Sequence, residues 1–203
     1  HACESALTAQ VNQIGAKAGQ CIVMDTDSGD LLAMATVKRE AESGEVRITS
    51  GNLAAVDSYE PGSVAKVITV AAGLNEGAVT EDTTFIVPWR REYGEDLLKD
   101  SHEHPDEEMT VRRILVESSN IGTIDIQQAT GRPTHWDYMR LFGLGSVSAL
   151  GFPGESAGIF KHWTDLQGSE KATVAYGQGL ASTPIQLISA VNVIANDGLY
   201  VAP

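Results

Sequence analysis

A single charged residue, Lys66, interrupts the small and apolar side chains of residues 61–74. A helix that is apolar all round is normally buried, so this segment predicts a helix in the core. Burial of an ammonium group disfavours its charged form and lowers its pKa, and a lysine in that state can act as a base at neutral pH. Ser63 lies three residues earlier, after Pro61 and Gly62, which predicts the same helix face at the helix N-terminus. The segment therefore predicts a serine nucleophile that is activated by a lysine instead of a histidine.

A second polar block, Ser118, Ser119 and Asn120, falls between two predicted helices. Side chains at a helix end can point into a cleft, where a hydroxyl and an amide two residues apart could relay a proton and hold an amide substrate. The same residue types commonly cap the helix that follows, and Lys66 could extend its ammonium group to solvent. Taken alone, the two blocks leave the structural and the catalytic interpretations open.

The acidic composition restricts the partners of the chain. Its 203 residues carry a formal charge of −13, whereas phosphate binding needs clustered Lys and Arg, so no nucleic acid is expected as a partner. The acidic runs at residues 92–96 and 103–108 are expected to be solvated loops. No stretch reaches the roughly 18 apolar residues of a membrane helix.

The N-terminal residues and the two cysteines add further limits. The chain begins with His1, without Met and without the basic and apolar regions of a signal peptide, so we expect it to be part of a longer protein. Cys3 and Cys21 do not form a disulfide framework or a metal site, and no cofactor is expected. Cys21 lies in an apolar run and is expected to be a small buried hydrophobe.

An early hairpin followed by helices predicts an α+β fold. The apolar runs at residues 21–24 and 31–35 flank a turn rich in Asp, Ser and Gly, which predicts an antiparallel hairpin covered on both faces. The polar residues 38–52 are expected to be irregular. Residues 6–14 are weakly helical, and capping signals predict later helices at residues 111–118 after Thr110, 122–129, 135–142 after Thr134, and 184–195 after Thr183.

Several short motifs occur in the order found in one enzyme family. Residues 59–69 (YEPGSVAKVIT) are similar to the active-site serine segment of the penicillin-binding proteins, particularly the class B transpeptidases, and residues 116–122 (VESSNIG) resemble their S-x-N motif. Further segments resemble other class B signatures, also in order: DSHEH at 100–104, FGLG at 142–145, PGESAG at 153–158, YGQG at 176–179 and IANDG at 194–198. The resemblance covers residues 19–203, and we expect residues 1–203 to be one partial transpeptidase domain.

The resemblance implies the transpeptidase fold that is shared with β-lactamases, with an antiparallel sheet flanked by helices and a helical subdomain. It implies acyl transfer from D-Ala-D-Ala stem peptides of peptidoglycan, with β-lactams as covalent inhibitors, at the extracytoplasmic face of the bacterial membrane. By resemblance, Ser63 is the nucleophile, Lys66 its base, Ser118 a proton relay and Asn120 a group that orients the substrate amide and Lys66. Other cell-wall synthesis proteins are expected partners of the full-length protein, and contact with the membrane is expected only through an N-terminal anchor outside this chain.

One family motif is missing from the sequence. The third motif, K-T-G or K-S-G, should follow the last helix, but the only lysines after Asn120 are Lys161 and Lys171, and neither precedes Thr-Gly or Ser-Gly. We therefore expect the C-terminal strands to be absent from this chain. By itself, the chain is expected to have an unpaired hairpin edge, an exposed Ser63 and an incomplete site.

Three other functions share the serine–lysine helix. A β-lactam sensor would bind the drug as a receptor, although the class B signatures disfavour this interpretation. A β-lactamase would need a deacylating Glu loop, which is not evident, and the second motif reads Ser-Ser-Asn instead of Ser-Asp-Asn. A non-catalytic pseudoenzyme fragment would explain the missing third motif, and the gene sequence beyond Pro203 would decide that question.

Overall fold

Two units divide the chain in the computed structural model, which describes residues 1–49, 51 and 53–203. The first unit contains residues 1–58, 146–157 and 183–203, and the second contains residues 59–145 and 158–182. Helices and antiparallel strands occur in both units. The α+β class expected from the sequence is confirmed.

The first unit contains a three-stranded antiparallel sheet in the order β1-β2-β3. Its strands are β1 (Ala18–Met24), β2 (Leu31–Arg39) and β3 (Val46–Ile48). Cys21 pairs with Ala35, and Met24 pairs with Leu31. The Asp25 carboxylate accepts hydrogen bonds from the N–H groups of Asp27 and Ser28 at 3.1 and 2.9 Å, so the turn closes on its own side chains. The predicted hairpin is confirmed, and β1 is an edge strand within the part of the chain that the structure describes.

Two details of this sheet differ from the expectation. Leu32 and Val23 are 66% and 40% exposed, so the hairpin is not covered on both faces. Residues 38–52 are not irregular throughout, because β2 extends to Arg39 and β3 follows it. Ser50 and Asn52, which also fall in that segment, lie outside the described residues.

Three helices accompany this sheet: α1 (Ala2–Ile14), α2 (Leu53–Val56) and α8 (Pro184–Ala195). The last one begins with a capping box, in which the Thr183 hydroxyl accepts from the Gln186 N–H at 3.2 Å and the Gln186 side chain accepts from the Thr183 N–H at 2.8 Å. Pro184 occupies the first helical position, as predicted. Ala54, Ala55 and Ile185 form a small core between α2 and α8, next to Ile22 and Leu31 of the sheet.

The second unit is mainly helical. Its helices are α3 (Lys66–Asn75), α4 (Val111–Val116), α5 (Asn120–Thr130), α6 (Arg132–Leu141) and α7 (Glu170–Thr173), with 3-10 turns at Gly62–Ala65, Trp163–Asp165 and Val174–Tyr176. Two small antiparallel sheets pair β4 (Thr84–Val87) with β7 (Glu107–Thr110) and β5 (Arg90–Tyr93) with β6 (Asp96–Lys99). The core joins α3, α4 and α5 through apolar side chains that include Val70, Ile114, Ile121 and Ile124.

Close packing holds α4 against α5. A Cβ atom added at Gly122 would lie 2.6 Å from a side-chain carbon of Ile114, which is too close for any other residue type to fit without a shift. The Thr110 hydroxyl accepts from the Arg113 N–H at 3.1 Å and so caps α4 as predicted. The contact at Gly122 holds the two helices close together on either side of the short connection that contains Ser118.

Two local predictions for this unit are wrong. Helix α6 begins at Arg132 with Gly131 as its N-cap, not at Thr134, because Pro133 fits the first turn of a helix. The acidic runs expected as loops take part in strands: residues 92–96 span the hairpin of β5 and β6, and residues 103–108 lead into β7. Among the described residues, none of the helices combines the length and the apolar character needed to cross a bilayer.

Candidate active site

The Ser63 side chain is exposed on the 3-10 turn Gly62–Ala65, just before α3. The Gly62 N–H donates to the carbonyl of Gly177 at 3.0 Å. A Cβ atom at Gly177 would lie 2.1 Å from the Gly62 carbonyl oxygen, and Gly177 has a φ of 82°, so only glycine permits this approach. The neighbouring Glu60 carboxylate accepts from the Gly179 N–H at 2.9 Å. The segment after Tyr176 therefore holds the Ser63 turn in place.

Lys66 is the buried cation of the site. The residue is only 1% exposed, and its Nζ donates to the backbone carbonyl of Ser118 and, at 2.9 Å, to the Ser118 hydroxyl. Burial lowers the pKa of Lys66 to about 8, although the negative charge of Asp100 acts in the opposite direction. The Nζ also lies 6.0 Å from the centroid of the Tyr176 ring. The lysine predicted to be buried and to titrate near neutral pH is found in that environment.

Ser63 and Lys66 share one face of the turn, since side chains three residues apart are eclipsed in a 3-10 helix. Within the described residues, however, the hydrogen bonds of the Lys66 ammonium go to Ser118, and none joins it to Ser63. The assignment of Lys66 as the base of Ser63 predicts a direct hydrogen bond between the two side chains, and this bond is not formed in this conformation, where two oxygens of Ser118 accept from Lys66 instead. Catalytic hydrogen bonds often form only when a substrate is bound.

Ser118 has an unusual backbone conformation between α4 and α5, with a φ of 56°. A non-glycine residue in this region costs about 1–3 kcal/mol and persists only where its surroundings enforce it. In this conformation both the carbonyl and the hydroxyl of Ser118 accept from Lys66. The backbone strain at Ser118 thus coincides with the formation of the lysine site.

Asp100 organises the start of α5. The residue is 6% exposed, and its carboxylate accepts from the Ser119 hydroxyl at 2.7 Å and from the N–H groups of Asn120 and Ile121 at 2.6 and 3.0 Å. A carboxylate is stabilised at a helix N-terminus by the free N–H groups and the helix dipole. The Ser119 hydroxyl also accepts from the Gly122 N–H at 2.9 Å, as a helix cap. The capping interpretation therefore holds for the middle serine of the motif.

Asn120 is half-buried at the first position of α5. Its side-chain amide donates to the carbonyl of Lys99 at 2.9 Å, which fixes the orientation of the amide group. No hydrogen bond joins Asn120 to Lys66 or Ser63 among the described residues, so the expected contact with Lys66 is not seen. The amide oxygen remains an acceptor for a peptide N–H.

His104 supports Asp100 from the opposite side. Its Nε2 contacts the Asp100 carboxylate at 3.1 Å, and its Nδ1 contacts the carbonyl of Pro105 at 2.7 Å. Both partners are acceptors, so both ring nitrogens donate when the histidine is protonated. Burial opposes the charged form, but the hydrogen bonds to Pro105 and Asp100 outweigh it and raise the pKa of His104.

Sequence reasoning did not assign a role to Asp100. Residues 100–104 attracted attention only as part of the family resemblance, since a single Asp about twenty positions before a motif carries no periodic signal. By contrast, all four predicted site residues, Ser63, Lys66, Ser118 and Asn120, lie in the second unit, on two stretches of the chain that lead into α3 and α5.

The arrangement suits nucleophilic acyl transfer. It combines an exposed serine hydroxyl, a buried lysine with a lowered pKa, a second hydroxyl that is bound to this lysine, and an oriented amide. Groups of three or more residues that could hold a metal ion were not found among the described residues.

A family model places this constellation in a known class. The model of the penicillin binding protein transpeptidase domain matches residues 19–203, which include every residue of the candidate site. The chain belongs to the penicillin-binding protein transpeptidase family. The resemblance inferred from the motifs is confirmed.

Curated relatives of this transpeptidase-family chain carry consistent names. It is 34% identical over 196 residues to the penicillin-binding protein PbpB of Mycobacterium tuberculosis, covering 95% of this chain and 29% of the relative. The probable peptidoglycan D,D-transpeptidase PenA of Neisseria flavescens is 34% identical over 191 residues, covering 90% of this chain and 46% of the relative. The peptidoglycan D,D-transpeptidase FtsI of Escherichia coli K12 is 31% identical over 192 residues, covering 91% of this chain and 32% of the relative. The chain thus spans less than half the length of these relatives.

Solved structures show that this transpeptidase-family chain has the penicillin-binding protein fold. Penicillin-binding protein 3 of Mycobacterium tuberculosis, complexed with ampicillin, superimposes with a TM-score of 0.89 and 31% identity, covering 97% of this chain and 44% of that one. The same protein complexed with aztreonam gives a TM-score of 0.88 and 30% identity, covering 97% of this chain and 45% of that one. The expected transpeptidase fold is confirmed.

Proposed function

We propose that the protein carrying this chain is a peptidoglycan D,D-transpeptidase and that Ser63 is its nucleophile. The observation that supports this most strongly is the environment of Lys66, a 1% exposed lysine whose pKa is lowered to about 8 and whose ammonium group is bound to Ser118. A structural lysine would extend to solvent or pair with a carboxylate. This lysine instead lies one 3-10 turn from an exposed serine.

The proposed reaction begins with neutral Lys66. Its amine takes the proton of the Ser63 hydroxyl while the serine oxygen attacks the carbonyl of the penultimate D-Ala. As the tetrahedral intermediate collapses, the C–N bond breaks, and the terminal D-Ala leaves with a proton passed from Lys66 through the Ser118 hydroxyl. The acyl-enzyme ester is then attacked by an amine on a neighbouring strand. A β-lactam acylates Ser63 by the same first step, with its ring amide in place of the peptide bond.

Asn120 and the Ser63 backbone have binding roles in this proposal. The Asn120 amide oxygen accepts from a substrate peptide N–H, while Lys99 holds the other side of the amide. The Ser63 N–H lies in the first turn of its helix, where N–H groups lack intrahelical partners, so it can donate to the oxyanion. Removal of one such donor typically costs about 10²–10³ in rate.

The proposed activity concerns the protein that carries this chain. Residues 1–203 contain no K-T-G or K-S-G sequence, and the relatives extend well beyond the region of similarity. In the proposal, a third motif completes the oxyanion hole. The site of action is the extracytoplasmic face of the membrane, where peptidoglycan stem peptides, β-lactams and other cell-wall synthesis proteins are the partners.

Labelling with a fluorescent penicillin tests the nucleophile. The protein should become labelled, peptide mass spectrometry should place the adduct on Ser63, and Ser63→Ala should abolish labelling. Ser58→Ala changes a nearby exposed serine and should label normally. An adduct on another residue would refute the assignment.

A second assay separates an enzyme from a receptor. The purified protein should release D-Ala from a stem pentapeptide and form a cross-linked product with an acceptor amine. Stable acylation by penicillin without any D-Ala release would instead favour the β-lactam sensor.

A further inference from the structure

Helix α1 lies on β1 with one row of side chains facing one row of the strand. A Cβ atom added at Gly19 would lie 2.7 Å from Val11 Cγ2 and 2.9 Å from Leu7 Cδ1. Leu7 and Val11 are four residues apart and share a face of α1. The absence of a side chain at Gly19 therefore lets the helix approach the strand closely.

Cys3 belongs to the same row of α1 side chains as Leu7, and Cys21 belongs to the same row of β1 as Gly19. Cys3 precedes Leu7 by four residues, about 6 Å along the helix, and Cys21 follows Gly19 by two, about 6.6 Å along the strand and on the same face. Because the two spacings match, the close approach at Gly19 places Cys3 and Cys21 on facing rows one step away. Cys3 is also the neighbouring group that, together with burial, raises the pKa of Cys21, and both residues are free thiols that are half-buried. The sequence expectation that Cys21 is a small buried hydrophobe is wrong, because the residue is only half-buried.

The two ends of α1 are held unequally. At the C-terminal end, Arg39 donates to the carbonyls of Val11 and Ala16 at 2.9 and 3.0 Å. Val11 is the one fully buried residue of the helix. At the N-terminal end, the ion pair of the His1 amino group with Glu4 lies within the helix and does not reach the sheet. A covalent bond between Cys3 and Cys21 would therefore add a connection where the first turn of α1 has no hydrogen bond or ion pair to the sheet among the described contacts.

We propose that Cys3 and Cys21 are an oxidisable pair and that their disulfide fixes the N-terminal half of α1 to the sheet. The inference is independent of the proposed acyl transfer. The oxidant is a disulfide of the small-molecule or oxidoreductase class, as is available on the outer side of the membrane.

The exchange proceeds in two balanced steps. The Cys3 thiolate attacks one sulfur of the oxidant, which forms a mixed disulfide and releases the first thiolate. The Cys21 thiolate then attacks Cys3 Sγ, which forms the Cys3–Cys21 bond and releases the second. In total the two cysteines lose two protons and two electrons, and the oxidant disulfide is reduced to two thiols. We assign the first attack to Cys3, because its neighbour Cys21 has a pKa raised by Cys3 and by burial, and Cys21 loses its proton when it attacks the mixed disulfide.

Oxidised glutathione tests the proposal on the folded protein. After alkylation of free thiols and digestion without reductant, mass spectrometry should find one linked peptide pair containing Cys3 and Cys21, lighter by two hydrogen atoms. Hydrogen exchange of the α1 amides around Leu7 should slow by about tenfold or more after oxidation and recover after reduction.

A matched variant tests whether closeness in the sequence is enough, without the folded structure, to form the cross-link. Cys3→Ser combined with Ser5→Cys moves the thiol to an exposed face of the same helix turn, and this protein should yield a mixed disulfide with glutathione instead of a cross-link. In concentrated urea both proteins should cross-link to the same extent. The proposal is overturned if the native protein gives only mixed disulfides or free thiols, or if the relocated cysteine cross-links equally fast in the folded state.

Discussion

Replacement of Asp100 by asparagine removes one negative charge with little change in side-chain size. The asparagine oxygen can still accept from the backbone N–H groups of Asn120 and Ile121, which Asp100 holds at 2.6 and 3.0 Å. Its NH₂ group, however, would face the Ser119 hydroxyl and His104 Nε2, which donate to the Asp100 carboxylate at 2.7 and 3.1 Å. The Ser119 hydroxyl and a protonated His104 would then lose their acceptor at this position.

The expected loss of folding stability follows from these hydrogen bonds. A hydrogen bond to a charged group contributes about 1.5–3 kcal/mol, and a charge at a helix N-terminus contributes up to about 2 kcal/mol. Since the two backbone bonds survive, we expect Asp100→Asn to lower the free energy of unfolding by about 2–4 kcal/mol. In a protein of this size, each kcal/mol shifts the thermal midpoint by about 2–4 °C, so we expect a decrease of about 4–16 °C.

A second readout separates an electrostatic role from a structural one. The Asp100 charge raises the pKa of Lys66 against the effect of burial, so its removal should lower that pKa further. The acid limb of the rate of β-lactam acylation should then move to lower pH, although the maximal rate falls because α5 is less well held. Asp137→Asn, which removes an exposed charge, should change neither quantity. An acid limb that stays in place in Asp100→Asn would refute the electrostatic link, and an unchanged thermal midpoint would refute the hydrogen-bond argument.

Two further predictions concern buried titratable groups. Lys66→Ala should slow acylation of Ser63 by orders of magnitude in stopped-flow measurements, and Lys66→Arg should not restore the rate because a guanidinium group cannot be deprotonated in a protein; substantial activity of either variant would contradict the role of Lys66 as base. His135 is 2% exposed, and burial lowers its pKa to about 4 from 6.5. The unfolded chain therefore binds this proton more readily, so the contribution of His135 to stability is complete above about pH 6.5 and is lost, by up to about 3 kcal/mol, as the pH drops toward 4. Urea unfolding across this range should show that slope, His135→Gln should flatten it, and an equal slope in the variant would contradict the assignment.

Local signals predicted the parts of the fold that are specified by neighbouring residues. The turn around Asp25 and the capping box of Thr183 and Gln186 each satisfy backbone groups within a few positions, so the hairpin and α8 could be predicted from the sequence. The start of α6 was misplaced because Thr134 and Gly131 compete as caps, and Pro133 decides in favour of Gly131. The charged strands β5 and β6 were missed because their composition is typical of exposed loops.

The sequence was sufficient to predict which residue types form the site, but not which contacts they make. The uncharged surroundings of Lys66 in the sequence correctly indicated burial and a lowered pKa. The positive φ of Ser118 and the reach of Asp100 to α5 depend on tertiary packing between segments far apart in the chain. The proposed pairing of Cys3 with Cys21 likewise depends on how closely α1 approaches β1 at Gly19, which no local pattern specifies.

The pH dependence of acylation tests the central claim, that neutral Lys66 takes the proton of Ser63, most directly. The rate of β-lactam acylation of the protein that carries this chain would be followed by stopped flow from about pH 6 to pH 10. We predict a sigmoidal increase with its midpoint near the Lys66 pKa of about 8, and a roughly tenfold lower rate for each pH unit below the midpoint. A rate that does not depend on pH, or a midpoint near the ordinary histidine value of about 6.5, would contradict the account.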